Sequence, residues 1–332
     1  MLRLAKRPLD HYTIDSIKRL VLRAFEHEPA EVQKIAEGAF GIIYRVLLSG
    51  KRSPVIVKVF KYPGLGARER NYLSSIESYL FDSITVPAVL HYEKYDIDRG
   101  IEEALVMDCI PGTSGSTFLK QNELNEDQVS ILRENVISVM SRFHRVTHSK
   151  GFGALEGPFQ RHWWDHYRQR VAEVHSFLHD LRARDRLGVS EKVLDVADRA
   201  FDLGPQIFAS HRPVSSLMHG DFCLGNIIID PNTLNINGVI DPLQVEWGDR
   251  ELDSIHLTKS NGHVYRLYEG FKEQYCREQA ISVDDPGLRL RYWYYSFWAW
   301  LSYFVVINLD GEGWYDVCAE RLNNELDRHF GR

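Results

Sequence analysis

The stretch HGDFCLGNIIID, residues 219–230, sets a histidine, an aspartate and an asparagine (His219, Asp221, Asn226) ahead of three isoleucines, and NGVID then ends on Asp241. Two carboxylates and an amide oxygen are hard ligands. Few in number and leaving coordination positions open, they suit Mg²⁺ completed by water and phosphate oxygens. Asp221 beside a metal-bound phosphate could accept a hydroxyl proton, with His219 serving loop geometry. Taken singly, Asp and Asn cap turns. Their order and joint placement favour the site.

A second constellation lies upstream. EGAFGIIYRV places Gly38, Ala39 and Gly41 in a turn between β-branched runs, and VIVK ends in Lys58. Small residues let a backbone approach phosphates, and a point cation reaches their oxygens. A plain hairpin turn explains the glycines equally well. Lys58 needs a carboxylate to hold it; Glu69, in ARERNYL, is preferred over Glu77, which lies too far along the same helical segment to share its position.

The elements that must position these groups follow from periodicity. NIIID and NGVID, separated by the turn residues PNTLN, read as an antiparallel hairpin. A turn centred between Thr233 and Leu234 would set Asn226 opposite Asp241. Residues 13–25 form an amphipathic helix with Thr13 as N-cap, and residues 31–60 form three antiparallel strands. A helix over 66–80 and strands near 85–93 and 103–109 follow. After the breaker-rich IPGTSGS the chain turns to long helices. The first runs over 125–144, with Asn125 and Gln128 as a capping box, and the next over 158–182. YWYYSFWAWLSYFVVI, residues 292–307, is apolar nearly all round. It is too short and too rich in Tyr and Trp for a bilayer span and reads as a buried core helix.

The simplest organisation is α+β: a β-rich part over 1–106, a connection at 107–116, and a helical part over 117–332. A 44% hydrophobic chain of 332 residues supports a substantial core. Its net charge of -6 gives no basic footprint for nucleic acid. The first 25 residues lack an apolar signal-peptide stretch, and Cys109, Cys223, Cys276 and Cys318 are far apart with no Cys-x-x-Cys pair. Neither a disulfide framework nor a zinc ribbon is expected, and a reducing cytoplasm fits.

In this order, the glycine turn, strand Lys, helix Glu, ALVMDCIPG, HGDFCLGN and VID resemble the aminoglycoside phosphotransferase and choline kinase-like family, of protein-kinase-like fold. GFGAL (151–155) and GDRELD (248–253) are similar to the same branch. The resemblance covers about residues 31–305. It implies a two-lobed fold, with a small antiparallel β-sheet N-lobe, a larger mainly helical C-lobe and ATP in the cleft. It also implies Asp221 as catalytic base, Asn226 and Asp241 as Mg²⁺ ligands and Lys58 on the α and β phosphates. The backbones of Asp108 and Ile110 would contact adenine with Met107 behind the ring, Asp249 would cap a helix, and Asp253 would brace the catalytic loop.

The acceptor so implied is a small-molecule hydroxyl, on an aminoglycoside or related antibiotic first, or on choline, an amino sugar or another metabolite. Neither nucleic acid nor membrane is an expected partner, and a monomer or homodimer is expected. Where this branch usually has a Trp and often a Glu after the metal Asp, this chain has Pro242 and Leu243. Glu246, Glu251, Asp310, Glu312 and Asp316 could supply replacement charge for a cationic acceptor. The pocket is expected between the 158–182 helix and aromatics of 292–307, although Tyr and Trp in such alternation more often form core. No Ala-Pro-Glu segment follows Asp241, which speaks against a protein kinase.

Two rival readings remain. HWWDH puts His162 and His166 on one helix face in a zinc-like spacing, but no third ligand is evident. His175 and His179 repeat the spacing with no acidic partner, and all four read as partly buried or solvated helical histidines. The other rival is a silent kinase-like scaffold, against which stand Lys58, Asp221, Asn226 and Asp241, all present.

Overall fold

The computed structural model describes residues 14–50, 53–80, 84–96, 101–242, 244–259, 261–307 and 314–331. Thr13, Leu243, Asp310 and Glu312, singled out above, lie outside the described residues. The chain divides into two compact units, one from Leu2–Leu124 with Gly225–Leu243, the other from Asn125–Leu224 with Gln244–Arg332.

The first unit is built on a five-stranded antiparallel sheet. Helix α1 (Ile14–Phe25) precedes β1 (Pro29–Glu37), β2 (Gly41–Leu48) and β3 (Val55–Phe60); α2 (Leu65–Tyr79), β4 (Val89–Asp96) and β5 (Ile101–Asp108) follow. The strand order is β1-β2-β3-β5-β4. Alternation along the strands sorts the side chains by face. Val57, Val59, Ala104 and Val106 pack with Ile17, Leu20 and Val21 of α1. On the other face Phe60, Leu105 and Met107 pack with Leu65 and Leu73 of α2. Lys58 therefore shares the α2 face.

A three-stranded sheet in the same unit joins β6 (Thr113–Ser114), β9 (Ile227–Ile229) and β10 (Ile236–Val239), with α3 (Gly115–Gln121) following β6. The expected hairpin is present, but its register is shifted by one. Val239 faces Ile227, and Ile240 donates its N–H to the Asn226 carbonyl at 2.9 Å. Asn226 is thus opposite Ile240. The turn is centred one residue earlier than assumed, between Asn232 and Thr233, and an irregularity between Ile236 and Gly238 takes back only part of the offset, so that Asp241 lies one residue beyond at φ 58°. The hairpin lies against the connection: Asn237 donates to the Pro111 carbonyl at 2.8 Å, and a Cβ on Gly238 would stand 2.5 Å from the Ile110 side chain.

The second unit is mainly helical. It contains α4 (Glu126–Arg145), β7 (Gly153–Ala154), α5 (Trp163–Ala183), α6 (Glu191–Ile207), β8 (Ser215–Met218), β11 (Glu246–Asp249) and α7 (Arg250–Ser254). Then come α8 (Leu267–Gly270), a π-helical turn (Phe271–Tyr275), α9 (Cys276–Glu278), α10 (Pro286–Ile307) and α11 (Trp314–Phe330). The Asn125/Gln128 capping box opens α4 as the sequence predicts. Helix α5 starts later than expected, at Trp163, because Phe152 and Gln160 exchange backbone hydrogen bonds that hold the 158–160 stretch extended.

Four aromatics of α10 are core. Tyr294, Tyr295, Phe297 and Trp298 are fully buried with Trp163, Tyr167 and Val171 of α5, so the pocket expected along those side chains is filled by their own packing. No helix among the described residues is long and apolar enough to cross a membrane. None of the four cysteines is in a disulfide.

Candidate active site

In the first unit the turn between β1 and β2 carries Gly38, Ala39 and Gly41. The backbone closes it from Gly38 N–H to the Gly41 carbonyl at 2.9 Å. A Cβ on Gly41 would stand 2.6 Å from the Val59 carbonyl, so close strand packing demands a glycine there. The end of the turn is tied down by Glu37, which accepts from Lys34 at 2.6 Å and Lys61 at 2.8 Å; those two ammonium groups hold its carboxyl down at about 2.

Lys58 is buried, and its Nζ stands 2.6 Å from Glu69 Oε2 and 2.6 Å from Asp241 Oδ1. Glu69 is therefore the carboxylate that pairs with Lys58. Burial disfavours the Lys58 ammonium, yet Asp241 and Glu69 together outweigh it and raise its pKa. Glu69 shows the opposite balance: burial, only partly offset by Lys58, pushes it up to about 7. One cation between two carboxylates leaves a net negative charge, and Asp241 carries it on a half-exposed side chain. A proton or a divalent cation would relieve that charge, so the donor set fits Mg²⁺.

Glu103 sets the height of Glu69. Its carboxylate accepts from the Gly66 N–H in the first turn of α2 at 2.8 Å and from the Tyr92 hydroxyl at 2.8 Å. An anion there caps a helix start that has no side-chain cap of its own. Sequence reasoning missed it, since its partner is 37 residues away. Met107 is buried on the Lys58 face. Asp108 engages Ala88 with both its N–H (3.1 Å) and its carboxylate (2.6 Å).

In the second unit β8 delivers the His219–Gly220–Asp221 turn. Gly220 adopts φ 79°, and a Cβ would stand 2.5 Å from the Gln244 carbonyl; only glycine suits that bend. Asp253 of α7 braces the turn, accepting from the His219 and Gly220 N–H groups at 2.8 Å each. It also contacts His144 Nε2 at 3.3 Å, while His144 Nδ1 meets the Tyr275 hydroxyl at 2.9 Å. His219 Nδ1 accepts from the Asp221 N–H at 3.3 Å, and its ring packs edge-on against Phe143 and Phe222. His219 is thus a geometric element of the turn.

Asp221 projects from this turn to Lys259, with Nζ to Oδ1 at 2.6 Å. Burial alone would raise its pKa, but Lys259, aided by the nearby His256, holds it well below the usual carboxylate range. His256 is itself driven down to about 3 by burial and Lys259, and so is neutral near pH 7. Lys259 was not legible in the sequence, standing 38 residues from Asp221 with no motif around it.

Asp249 caps α7 by accepting from the Glu251 N–H at 3.0 Å, and also meets His211 and Tyr295. Glu246 and Glu251 do not form an open acidic rim. Glu246 is buried against Arg170 at 2.7 Å and His166 at 3.1 Å, and Glu251 accepts a bidentate pair from Arg291 at 2.7 and 2.9 Å. A buried carboxylate requires such a partner, so these charges are already met. Asp316 accepts from Ser190. Among the described residues no metal-ligand cluster includes His162 or His166.

Residues 31–290 match the phosphotransferase enzyme family. The uncharacterized Escherichia coli protein YcbJ is 19% identical over 273 residues, 82% of this chain and 86% of that one. A Klebsiella pneumoniae protein described as a probable ketoamine kinase is 35% identical over 75 residues, 23% of this chain and 58% of that one. Among solved structures, aminoglycoside phosphotransferase APH(4)-Ia in complex with ADP and hygromycin B aligns with a TM-score of 0.70 at 17% identity, covering 96% of this chain and all (100%) of that one. A Haemophilus somnus protein provisionally named a fructosamine-3-kinase aligns with a TM-score of 0.67 at 16% identity, covering 94% and 97%. The fold is theirs, α+β and protein-kinase-like, and the matched span takes in both the Lys58 cluster and the braced Asp221 turn: the chain belongs to the phosphotransferase enzyme family and is a small-molecule phosphotransferase.

Proposed function

We propose that this protein transfers the γ-phosphoryl group of ATP, with Mg²⁺, to a hydroxyl of an aminated sugar compound, the class that includes aminoglycosides and fructosamines. The observation that carries the reading is Lys58 buried between Glu69 and Asp241. Asp241 and Asn226 would hold Mg²⁺, which when bound supplies positive charge to the phosphate oxygens. Lys58 binds the α and β phosphates, and the backbone of residues 38–41 lies along them. Backbone groups of Asp108 and Ile110 meet adenine, and Met107 backs the ring.

Asp221 orients the acceptor hydroxyl and takes its proton on a carboxylate oxygen as the phosphoryl group departs from ADP. Its depressed pKa keeps it ionised, and so ready to accept, across the working pH range. Lys259 steadies that carboxylate between turnovers. The neutralised state of Glu246 and Glu251 supports an acceptor of modest positive charge over a polycation. The test is Mg²⁺-dependent ADP release across aminoglycosides, macrolides, ketoamines, choline and amino sugars. Stimulation by an aminated sugar, lost in Asp221→Ala with ATP binding retained, is the expected result. Full turnover in Asp221→Ala would overturn the assignment of the base.

A further inference from the structure

We propose that His175, His179 and Asp198 form a binding site for a divalent cation of the Zn²⁺ class that links α5 to α6. The two histidines share one face of α5 by their i, i+4 spacing, and α6 supplies the carboxylate, Asp198. His175 Nε2 and His179 Nε2 each stand 2.7 Å from Asp198 Oδ1, and 3.3 Å from one another. Ligand atoms about 2.0–2.1 Å from a tetrahedral Zn²⁺ are separated by about 3.3 Å. The two nitrogens already stand at that spacing, and the carboxylate oxygen would draw back by about 0.6 Å to complete three corners of such a site.

Hydrogen bonding accounts for only part of this convergence. Two imidazole N–H groups can both donate to Oδ1, but the 3.3 Å contact between the nitrogens is then a meeting of two donors. A metal ion satisfies all three contacts at once.

The rings are also held in place. His175 stacks on Phe201 at 4.4 Å and 4°, and meets Trp298 edge-on at 6.3 Å. His175, His179 and Asp198 keep side-chain exposures of 20%, 41% and 43%, so one side stays open for entry and for water as a fourth ligand. Two imidazoles with one carboxylate select Zn²⁺ over Mg²⁺. The other convergent trio, His211, Asp249 and Glu251, is already engaged by Tyr295 and Arg291. Helix α5 also carries His166 and Arg170, which hold Glu246, so an ion here would clamp the helix that supports β11.

The test uses the full chain, stripped with chelator and kept in excess Mg²⁺ so that hard-ligand sites are filled. Zn²⁺ titration by calorimetry should give one equivalent. Co²⁺ should give the intense visible bands of a tetrahedral site, and Zn²⁺ at 100 times its Kd should raise Tm by about 4 °C. His179→Gln and Asp198→Asn should each lose affinity at least ~10-fold, together with the Co²⁺ bands. Both positions are partly exposed, and circular dichroism is to check that the variants fold. No stoichiometric binding, or binding unchanged in both variants, would overturn the proposal and leave Asp198 as a hydrogen-bond partner of two histidines.

Discussion

Replacing Glu69 with glutamine removes a titration that the structure places near neutral pH while keeping the side chain's shape. In the unfolded chain the carboxyl titrates near its ordinary 4.5, and in the folded protein burial moves it up to about 7. Between those values the folded state binds more protons than the unfolded state. A group with a raised folded pKa contributes stability that is fully present below the unfolded value and is lost as pH rises to the folded one. At 1.36 kcal/mol per pKa unit, the loss across that window is about 3 kcal/mol. Urea unfolding of wild type and Glu69→Gln, measured at intervals from pH 4.5 to 8, should give curves that diverge by that amount. The wild type should descend with rising pH relative to the variant. Parallel curves would refute the argument that burial outweighs Lys58 at Glu69. The same substitution should lower kcat/KM for ATP by roughly 10- to 100-fold, the worth of a charge-assisted hydrogen bond of about 1.5–3 kcal/mol.

Two further outcomes follow from the turn that carries Asp221. Lys259→Met removes the cation 2.6 Å from its carboxylate, so the acid limb of the kcat/KM profile should move to higher pH by ~1–3 units; an unmoved limb would show that Lys259 does not govern Asp221. Gly220→Ala forces a side chain into φ 79° and to within 2.5 Å of the Gln244 carbonyl. Its stability should fall by at least about 2 kcal/mol, read as the urea midpoint.

Most of the architecture was legible because local patterns carry it. The β-branched runs of β2 and β3, the capping box of α4 and the breakers after residue 110 act through neighbours a few residues apart. The His219–Asp221–Asn226–Asp241 series was legible for the same reason. Yet the hairpin turn is centred one residue earlier than its composition suggests, which leaves Asn226 facing Ile240, because register depends on hydrogen bonds that turn composition does not specify. Tyr294, Tyr295, Phe297 and Trp298 show the converse: their composition allows pocket or core, and packing against α5 makes them core.

What the sequence determined by itself was the chemistry available: a glycine turn, a strand lysine, and oxygen-bearing side chains in order along the chain. The tertiary structure decided the state of each charge. It set Lys58 between Glu69 and Asp241, anchored α2 with Glu103, gave Asp221 a lysine 38 residues away, and neutralised Glu246 and Glu251 with cations from α5 and α10. It also brought Asp198 to the two histidines of α5. The physical reason is that a motif is written in spacings along the chain, whereas the field at a buried group is set by whatever the fold brings within a few ångströms of it.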